Sequence, residues 1–234
     1  MGGIDPDRQA DAALEAVDRY GTALAAFSDG HEWMGIAPPS DPADLSRIAT
    51  VQTAWAAYAP AYHQILAGDR HAVIMSQILR GIDPAVESAS TLASYFISAE
   101  PGGEIVDPSV VPALRLAARQ RLLIQRALRQ MCLIHVGLAG PPMRVALIDT
   151  LAHIRIGAER LASGNGDVVE PPDARIARNL RTADLFWSKM RPAIKAVASG
   201  AGTSNDDIAK VLKFNKSVQK QLVQAVDGYA AAKP

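Results

Sequence analysis

The chain has little cysteine, few aromatic residues and no long apolar run. Cys132 is the only cysteine among 234 residues, which excludes an internal disulfide and a zinc-finger pattern. Its helical spacing beside Leu128 and Val136 predicts a small core residue. No stretch of 18 or more uncharged apolar residues occurs, so we expect no membrane-spanning helix. The opening segment MGGIDPDRQADAAL has neither a basic start nor an apolar run, and it therefore predicts no signal peptide.

Helical periodicity runs through nearly the whole sequence. Hydrophobic residues make up 49% of the chain, and many of them are alanine, the residue with the highest helix propensity. No segment shows the sustained two-residue alternation of a strand. The pattern predicts an all-α fold with helices at about 6–28, 42–67, 70–99, 108–137, 142–163, 173–199 and 204–231.

Local signals refine these predicted helices. Thr203 with Asp206 predicts a capping box at the start of the last helix. Pro60 and Pro192 fall inside predicted helices, where a proline removes a backbone hydrogen bond and should kink the helix. The third helix should break near Gly81–Pro84.

The order of tryptophan, proline and glycine is repeated along the chain. At an offset of 132 residues, three residues of the first half match three of the second: Trp55, Pro60 and Gly68 match Trp187, Pro192 and Gly200. The repetition predicts tandem antiparallel helix-bundle repeats, with three helices in residues 1–100 and four in residues 101–234. The first repeat lacks a counterpart of the helix at 108–137. Its apolar face should therefore need a partner, either the second unit or another chain.

The two halves carry opposite charge. Residues 1–100 hold 5 Lys and Arg against 13 Asp and Glu (net −8), and residues 101–234 hold 19 against 11 (net +8). Two interpretations are open: the halves attract each other within or between chains, or the basic half receives an anion. We expect no nucleic-acid partner, because no nucleic-acid motif is present and the basic residues are not interleaved with aromatic residues.

One helix of the basic half concentrates arginine. Four of its five arginines form a single polar stripe at 100° per residue: Arg115, Arg119, Arg126 and Arg129. Arg121 lies away from that stripe. Its neighbours at three, four and seven residues are apolar except for Gln125. A buried guanidinium needs acceptors, so Arg121 either pairs with a carboxylate or carbonyl of another helix, or faces a cavity or interface and holds a small anion.

The same helix resembles a known family. The segment LAARQRLLIQR (Leu116–Arg126) resembles the motif N-x-A-G-R-Q-R-M-L-S-Q-R that opens the PilJ-type sensor domain. That domain is the N-terminal ligand-binding domain of type IV pilus methyl-accepting chemotaxis transducers, and the nitrate sensors NarX and NarQ have a related opening helix. In this family a helix ending in small residues and glycine follows, then a helix with tryptophan, then a last long helix. That order occurs here twice, so the resemblance extends over essentially the whole chain.

The resemblance implies a site and a set of partners. In the nitrate-sensing relatives, the arginine before the methionine of the motif contacts the anion between two opening helices of a dimer, and Arg121 stands at that position. Gln125 matches the glutamine of the motif, Ala118 stands at its glycine and Leu122 at its methionine. The implied partners are a small anion such as nitrate or nitrite, a homodimer or a repeat–repeat interface, and a separate signalling protein. The implied location is periplasmic or extracytoplasmic.

Signs of an enzyme are lacking in the sequence. The five histidines form no H-x-x-x-H or Glu-x-x-His pair, and no phosphate loop, nucleophile elbow or acid–base carboxylate pair is present. Asp149 and His153, four residues apart, are best interpreted as a surface hydrogen bond. We therefore expect no enzyme, metal or cofactor. Two hypotheses remain: a sensory module for a small oxyanion, or a helical interaction module whose arginine helix pairs with an acidic surface.

Overall fold

The computed structural model describes residues 6–32, 38–69, 71, 74, 88–89, 91–92 and 107–232, with side chains from residue 11 onward. The regular secondary structure of these ranges is helical, which confirms the predicted all-α class. The chain divides into two compact units, Met1–Phe96 and Ile97–Pro234. That the two units are repeats of one bundle stays a prediction. Within the described ranges, no helix combines the length and the apolarity that crossing a bilayer requires.

The first unit contains three described helices: α1 (Pro6–Asp29), α2 (Pro42–Ala56) and α3 (Ala59–Leu66). Its core is formed by aliphatic residues of α1 and α2 together with Leu92. Trp55 packs against this core between two tyrosines, with its ring centroid 4.6 Å from that of Tyr20 and 5.9 Å from that of Tyr62. The predicted helix at 70–99, including its break near Gly81–Pro84, lies outside the described residues apart from a few positions.

The prediction of one helix over 42–67 is wrong at its middle. The helix ends at Ala56 and α3 begins at Ala59, so Pro60 is the second residue of a new helix. In the first turn of a helix the backbone N–H has no intrahelical partner, and a proline there sacrifices no hydrogen bond. The chain therefore interrupts the helix three residues before the proline instead of kinking it at the proline.

The second unit is a four-helix bundle preceded by a 3₁₀ turn at Pro108–Val110. Its helices are α4 (Val111–His135), α5 (Pro141–Ser163), α6 (Ala174–Ala198) and α7 (Asn205–Ala230). Each packs against its neighbour in the sequence, and α4 also packs against α7, which closes the bundle. Of the residues in its core, Trp187 of α6 is only 6% exposed, and Met131 and Ile194 are fully buried. Pro192 lies inside α6, and the helix continues past it to Ala198.

Side-chain caps fix the starts of two of these helices. The carboxylate of Asp173 accepts hydrogen bonds from the backbone N–H groups of Arg175 (2.7 Å) and Ile176 (2.8 Å) at the start of α6. At α7 the predicted Thr203–Asp206 box is wrong by one residue, because Ser204 is the N-cap and accepts a bond of 3.1 Å from Asp207 N–H. The segment TSNDD contains two hydroxyl–carboxylate pairs at the same spacing, and the chain uses the second.

Candidate functional site

The residues that the sequence singled out lie on the side of α4 that faces away from the bundle core. Leu122 is 38% exposed, Gln125 is exposed and Ala118 is half-buried. The opposite side of α4 is buried, with Ala117, Leu123 and Ala127 among its residues. The four predicted site residues therefore share one surface, which we call the outward face of α4 and define as Ala118, Arg121, Leu122 and Gln125.

Arg121 lies at the edge of this face and is half-buried. Its helical neighbours Leu114, Ile124 and Leu128 are all buried. The Nε of Arg121 is buried and has no hydrogen-bond partner, and no carboxylate of the described residues forms an ion pair with the guanidinium. The backbone carbonyl of Arg121 does have a partner, because it accepts a hydrogen bond of 3.3 Å from Gln219 Nε2 of α7.

The arginine stripe contains a second group of this kind. Arg115 is half-buried, and its Nε is likewise buried without a hydrogen-bond partner. At 100° per residue, Arg115 and Arg121 flank the outward face on opposite sides, about 9 Å apart along the helix axis. Arg119, by contrast, is exposed to solvent. The outward face of α4 thus presents an apolar and amide surface between two arginines whose Nε atoms have no hydrogen-bond partner.

A groove between α5 and α6 is a second feature of this unit. It has a volume of about 1130 Å³, and its floor is formed by buried residues of all four helices, including Ile154, Trp187 and Leu222. Ile148 and Leu185, which are 54% and 56% exposed, are part of its rim. Small-molecule sites in helical proteins are commonly apolar clefts between helices, with few polar groups in them.

Gln120 of α4 supplies a polar group to this groove. Its side chain is 3% exposed, it contributes to the groove lining, and its Nε2 is buried without a partner. Gly157 of α5 makes room for it, since a Cβ built at Gly157 would lie 1.9 Å from that nitrogen. The sequence interpretation missed Gln120, although its neighbours at three, four and seven residues are all apolar.

The remaining reactive side chains do not form a centre in the described residues. No group of three His, Cys, Asp or Glu residues there could hold a metal ion. His153 lies on the surface with its Nδ1 3.0 Å from the Asp149 carbonyl, which fits the predicted surface hydrogen bond. Cys132 is half-buried against the core as predicted, and burial raises the pKa of its thiol. At neutral pH the thiol therefore stays protonated, and a protonated thiol is a poor nucleophile.

Comparison of the chain with protein-family models, with curated proteins and with solved structures gives no match.

Proposed function

We propose that the second unit is a ligand-binding sensory module of the PilJ type, which recognises a small oxyanion such as nitrate or nitrite on the outward face of α4. The observation that carries the proposal is Arg121, whose Nε is buried without a hydrogen-bond partner. Leaving a buried donor unpaired is costly, and a charged one more so. A planar oxyanion can accept two parallel hydrogen bonds from such a guanidinium.

The mechanism we propose places two copies of α4 against each other. The outward face offers a small residue, Ala118, and an exposed aliphatic residue, Leu122, and a second copy of the helix would cover both. Two Arg121 side chains would then meet, and their like charges would oppose association. An anion bound between the two guanidinium groups would attract both of them and so offset their repulsion. Leu122 would help to exclude water from this site. Anion occupancy would thereby favour the paired state of the helices and transmit a signal to a separate partner.

The charge distribution supports one alternative. Because residues 1–100 carry a net charge of −8 and residues 101–234 of +8, α4 could instead bind an acidic surface with no small ligand. In that case the chain is a helical interaction module. The resemblance to PilJ-type domains favours the sensory function, together with a periplasmic or extracytoplasmic location.

A thermal-shift experiment with a matched control separates these functions. Nitrate, nitrite, sulfate and chloride are compared at equal ionic strength. We expect nitrate or nitrite to stabilise the wild type, by about 2.7 kcal/mol at a hundredfold excess over the dissociation constant. Arg121→Lys should lose the response because it keeps the charge but not the planar fork. Arg119→Lys should retain it, since Arg119 is exposed on the same helix.

Two results would count against the sensory proposal. Equal stabilisation by all four anions, unchanged in Arg121→Lys, would indicate a non-specific basic patch. Absence of any anion response, together with salt-sensitive association of the chain measured by sedimentation, would favour the interaction module. In the supporting case, sedimentation should also show more dimer when nitrate is present.

A further inference from the structure

We propose that the exposed side of α5 binds the same helix of a second copy of this chain, in an antiparallel pair with a two-fold axis at Ala152. This surface is separate from the outward face of α4, and the interface does not depend on the function proposed above. Three features of α5 support it: an exposed aliphatic stripe, opposite charges placed evenly about Ala152, and the poor match of a parallel pair.

The side of α5 that faces away from the bundle core carries large aliphatic residues. Val145, Ile148 and Ile156 are 45–67% exposed. At 100° per residue these three lie within about 40° of Ala152, and Asp149 and Arg155 flank them at about 60° to either side. We call this surface the outer stripe of α5. It consists of seven exposed residues: Val145, Ile148, Asp149, Ala152, Arg155, Ile156 and Glu159.

The outer stripe is complementary to its own antiparallel copy. A two-fold axis through Ala152, perpendicular to the helix, brings each residue opposite the one at the same distance on the other side of Ala152. Ile148 and Ile156 are each four residues from Ala152, so Ile148 of one copy meets Ile156 of the other. Asp149 and Arg155 are each three residues away, so the axis brings together two pairs of opposite charge. Ala152 meets itself, and its small side chain lets the two helix axes approach closely.

A parallel pair of the same helices lacks this match. A two-fold axis along the helices would keep every residue at its own level and exchange only the two sides of the stripe. Asp149 would then lie against Ile148 of the second copy, and Arg155 against Ile156. Such contacts remove charges from water without giving them a partner, which is costly. The charge pattern therefore favours the antiparallel arrangement.

The charged residues of the outer stripe are accessible to a second copy. Arg155 pairs with Glu159 at 2.9 Å, and both side chains are 61% exposed. Asp149 has a carboxylate oxygen 3.3 Å from Nδ1 of His153, and 70% of its side chain is exposed. A guanidinium has five N–H donors, so Arg155 can bind Asp149 of the second copy without releasing Glu159. Because Ile148 also lines the groove between α5 and α6, the second copy would cover part of that rim.

Charge reversal with complementation tests the interface. Sedimentation of the full chain in chloride buffer, without nitrate or nitrite, measures the dissociation constant of the dimer. Asp149→Arg and Arg155→Asp each turn two attractive pairs into two repulsive ones, so each should raise that constant roughly thirtyfold. An equimolar mixture of the two variants should associate about as tightly as the wild type, because every pair in the heterodimer is attractive again. Lys220→Asp and Asp227→Arg, exposed on α7 diagonally across the bundle from α5, should leave association unchanged.

Cross-linking and an aliphatic substitution test the position of the axis. Ala152→Cys should form an intermolecular disulfide on oxidation with copper phenanthroline, because a residue at the axis lies within about 7 Å of its own copy. Val145→Cys should not, since it lies seven residues, or about 10 Å along the helix, from the axis. Both variants carry Cys132→Ser, which removes the native thiol. Ile148→Ser removes two aliphatic contacts per dimer and should weaken association about a hundredfold, whereas Leu212→Ser on α7 should not weaken it.

Several outcomes would overturn the proposal. A wild type that stays monomeric up to about 1 mM, where even a weak dimer is populated, would exclude a second copy as the occupant of the outer stripe. Dimerisation that both single charge variants retain would place the contact on another surface. Failure of the mixed variants to associate, with helical circular dichroism intact, would exclude the antiparallel register. Cross-linking of Val145→Cys in place of Ala152→Cys would exclude the axis at Ala152.

Discussion

Tyr229 offers the sharpest test of how the second unit is packed. Its side chain is fully buried in a cluster that includes Leu161, Ile176 and Ala225, and its hydroxyl has no hydrogen-bond partner. An unpaired buried hydroxyl costs about 1 kcal/mol or more relative to an apolar atom of similar shape. We therefore expect Tyr229→Phe to stabilise the second unit by about 1 kcal/mol at pH 7. Most substitutions in a core destabilise it.

The same residue predicts the behaviour of the unit at high pH. Burial, and secondarily the negative charge of Asp173, raises the pKa of Tyr229 to about 12. In the unfolded chain a tyrosine titrates near pH 10. Stability from this difference is therefore complete below pH 10 and is lost as the pH rises toward 12. The loss relative to neutral pH should be about 1 kcal/mol at pH 11 and about 3 kcal/mol once both states are ionised.

Urea unfolding of the wild type and of Tyr229→Phe between pH 7 and pH 12 measures both effects. Far-ultraviolet circular dichroism follows the loss of helix in both units, and the part of the fluorescence change that Trp187→Phe removes identifies the second unit. Absorbance at 295 nm isolates the ionisation of Tyr229 as the difference between the two proteins, since it is the only tyrosine of this unit. The difference in stability between wild type and variant should widen in favour of the variant above pH 10. A variant less stable than the wild type at pH 7 would refute the reasoning, because it would mean that the hydroxyl makes a hydrogen bond.

Two further substitutions test the contacts that position α5 and α6. Gly157→Ala gains about 1 kcal/mol of helix propensity but places a Cβ 1.9 Å from Gln120 Nε2, so urea unfolding should show a net loss of about 1–2 kcal/mol. Part of that loss should be recovered in the double variant with Gln120→Ala, and strictly additive effects would contradict the close contact. Asp173→Ala should cost about 1 kcal/mol because it removes the cap of α6. Asp173→Asn should retain the cap and lower the pKa of Tyr229, as measured by absorbance at 295 nm, whereas an unchanged pKa would rule out the effect of the Asp173 charge.

Much of the second unit could be predicted from the sequence. The helices expected at about 142–163, 173–199 and 204–231 are observed at Pro141–Ser163, Ala174–Ala198 and Asn205–Ala230. These segments are long, and local chemistry marks their ends, such as the carboxylate cap of Asp173 and the positive φ of Gly200. Such signals involve only a few neighbouring residues, so they can be recognised in the sequence without knowledge of the tertiary structure.

The groove between α5 and α6 could not be predicted in this way. Its existence depends on how far apart two helices lie, and that distance is set by side chains from all four helices. The close contact of Gln120 with Gly157 illustrates the point, because the two residues are 37 positions apart and belong to different helices. Local signals in a sequence, such as caps, turns and periodicity, contain no measure of the distance between two helices.

Gln120 and Arg121 show why periodicity identified one polar residue of α4 and missed the other. Both have mainly apolar neighbours at three, four and seven residues along the helix, and those of Gln120 are all apolar. A glutamine side chain is too short to bring its amide from that position to the surface, so it stays 3% exposed. An arginine is longer and can bury its stem while its end reaches outward, which fits the half-buried Arg121 with its buried Nε. Apolar helical neighbours thus predict that a short polar side chain such as glutamine is buried together with its amide. For a long side chain such as arginine they predict only that the aliphatic part is buried. Arg121 was singled out because it is charged, but the shorter side chain of Gln120 is the more deeply buried of the two.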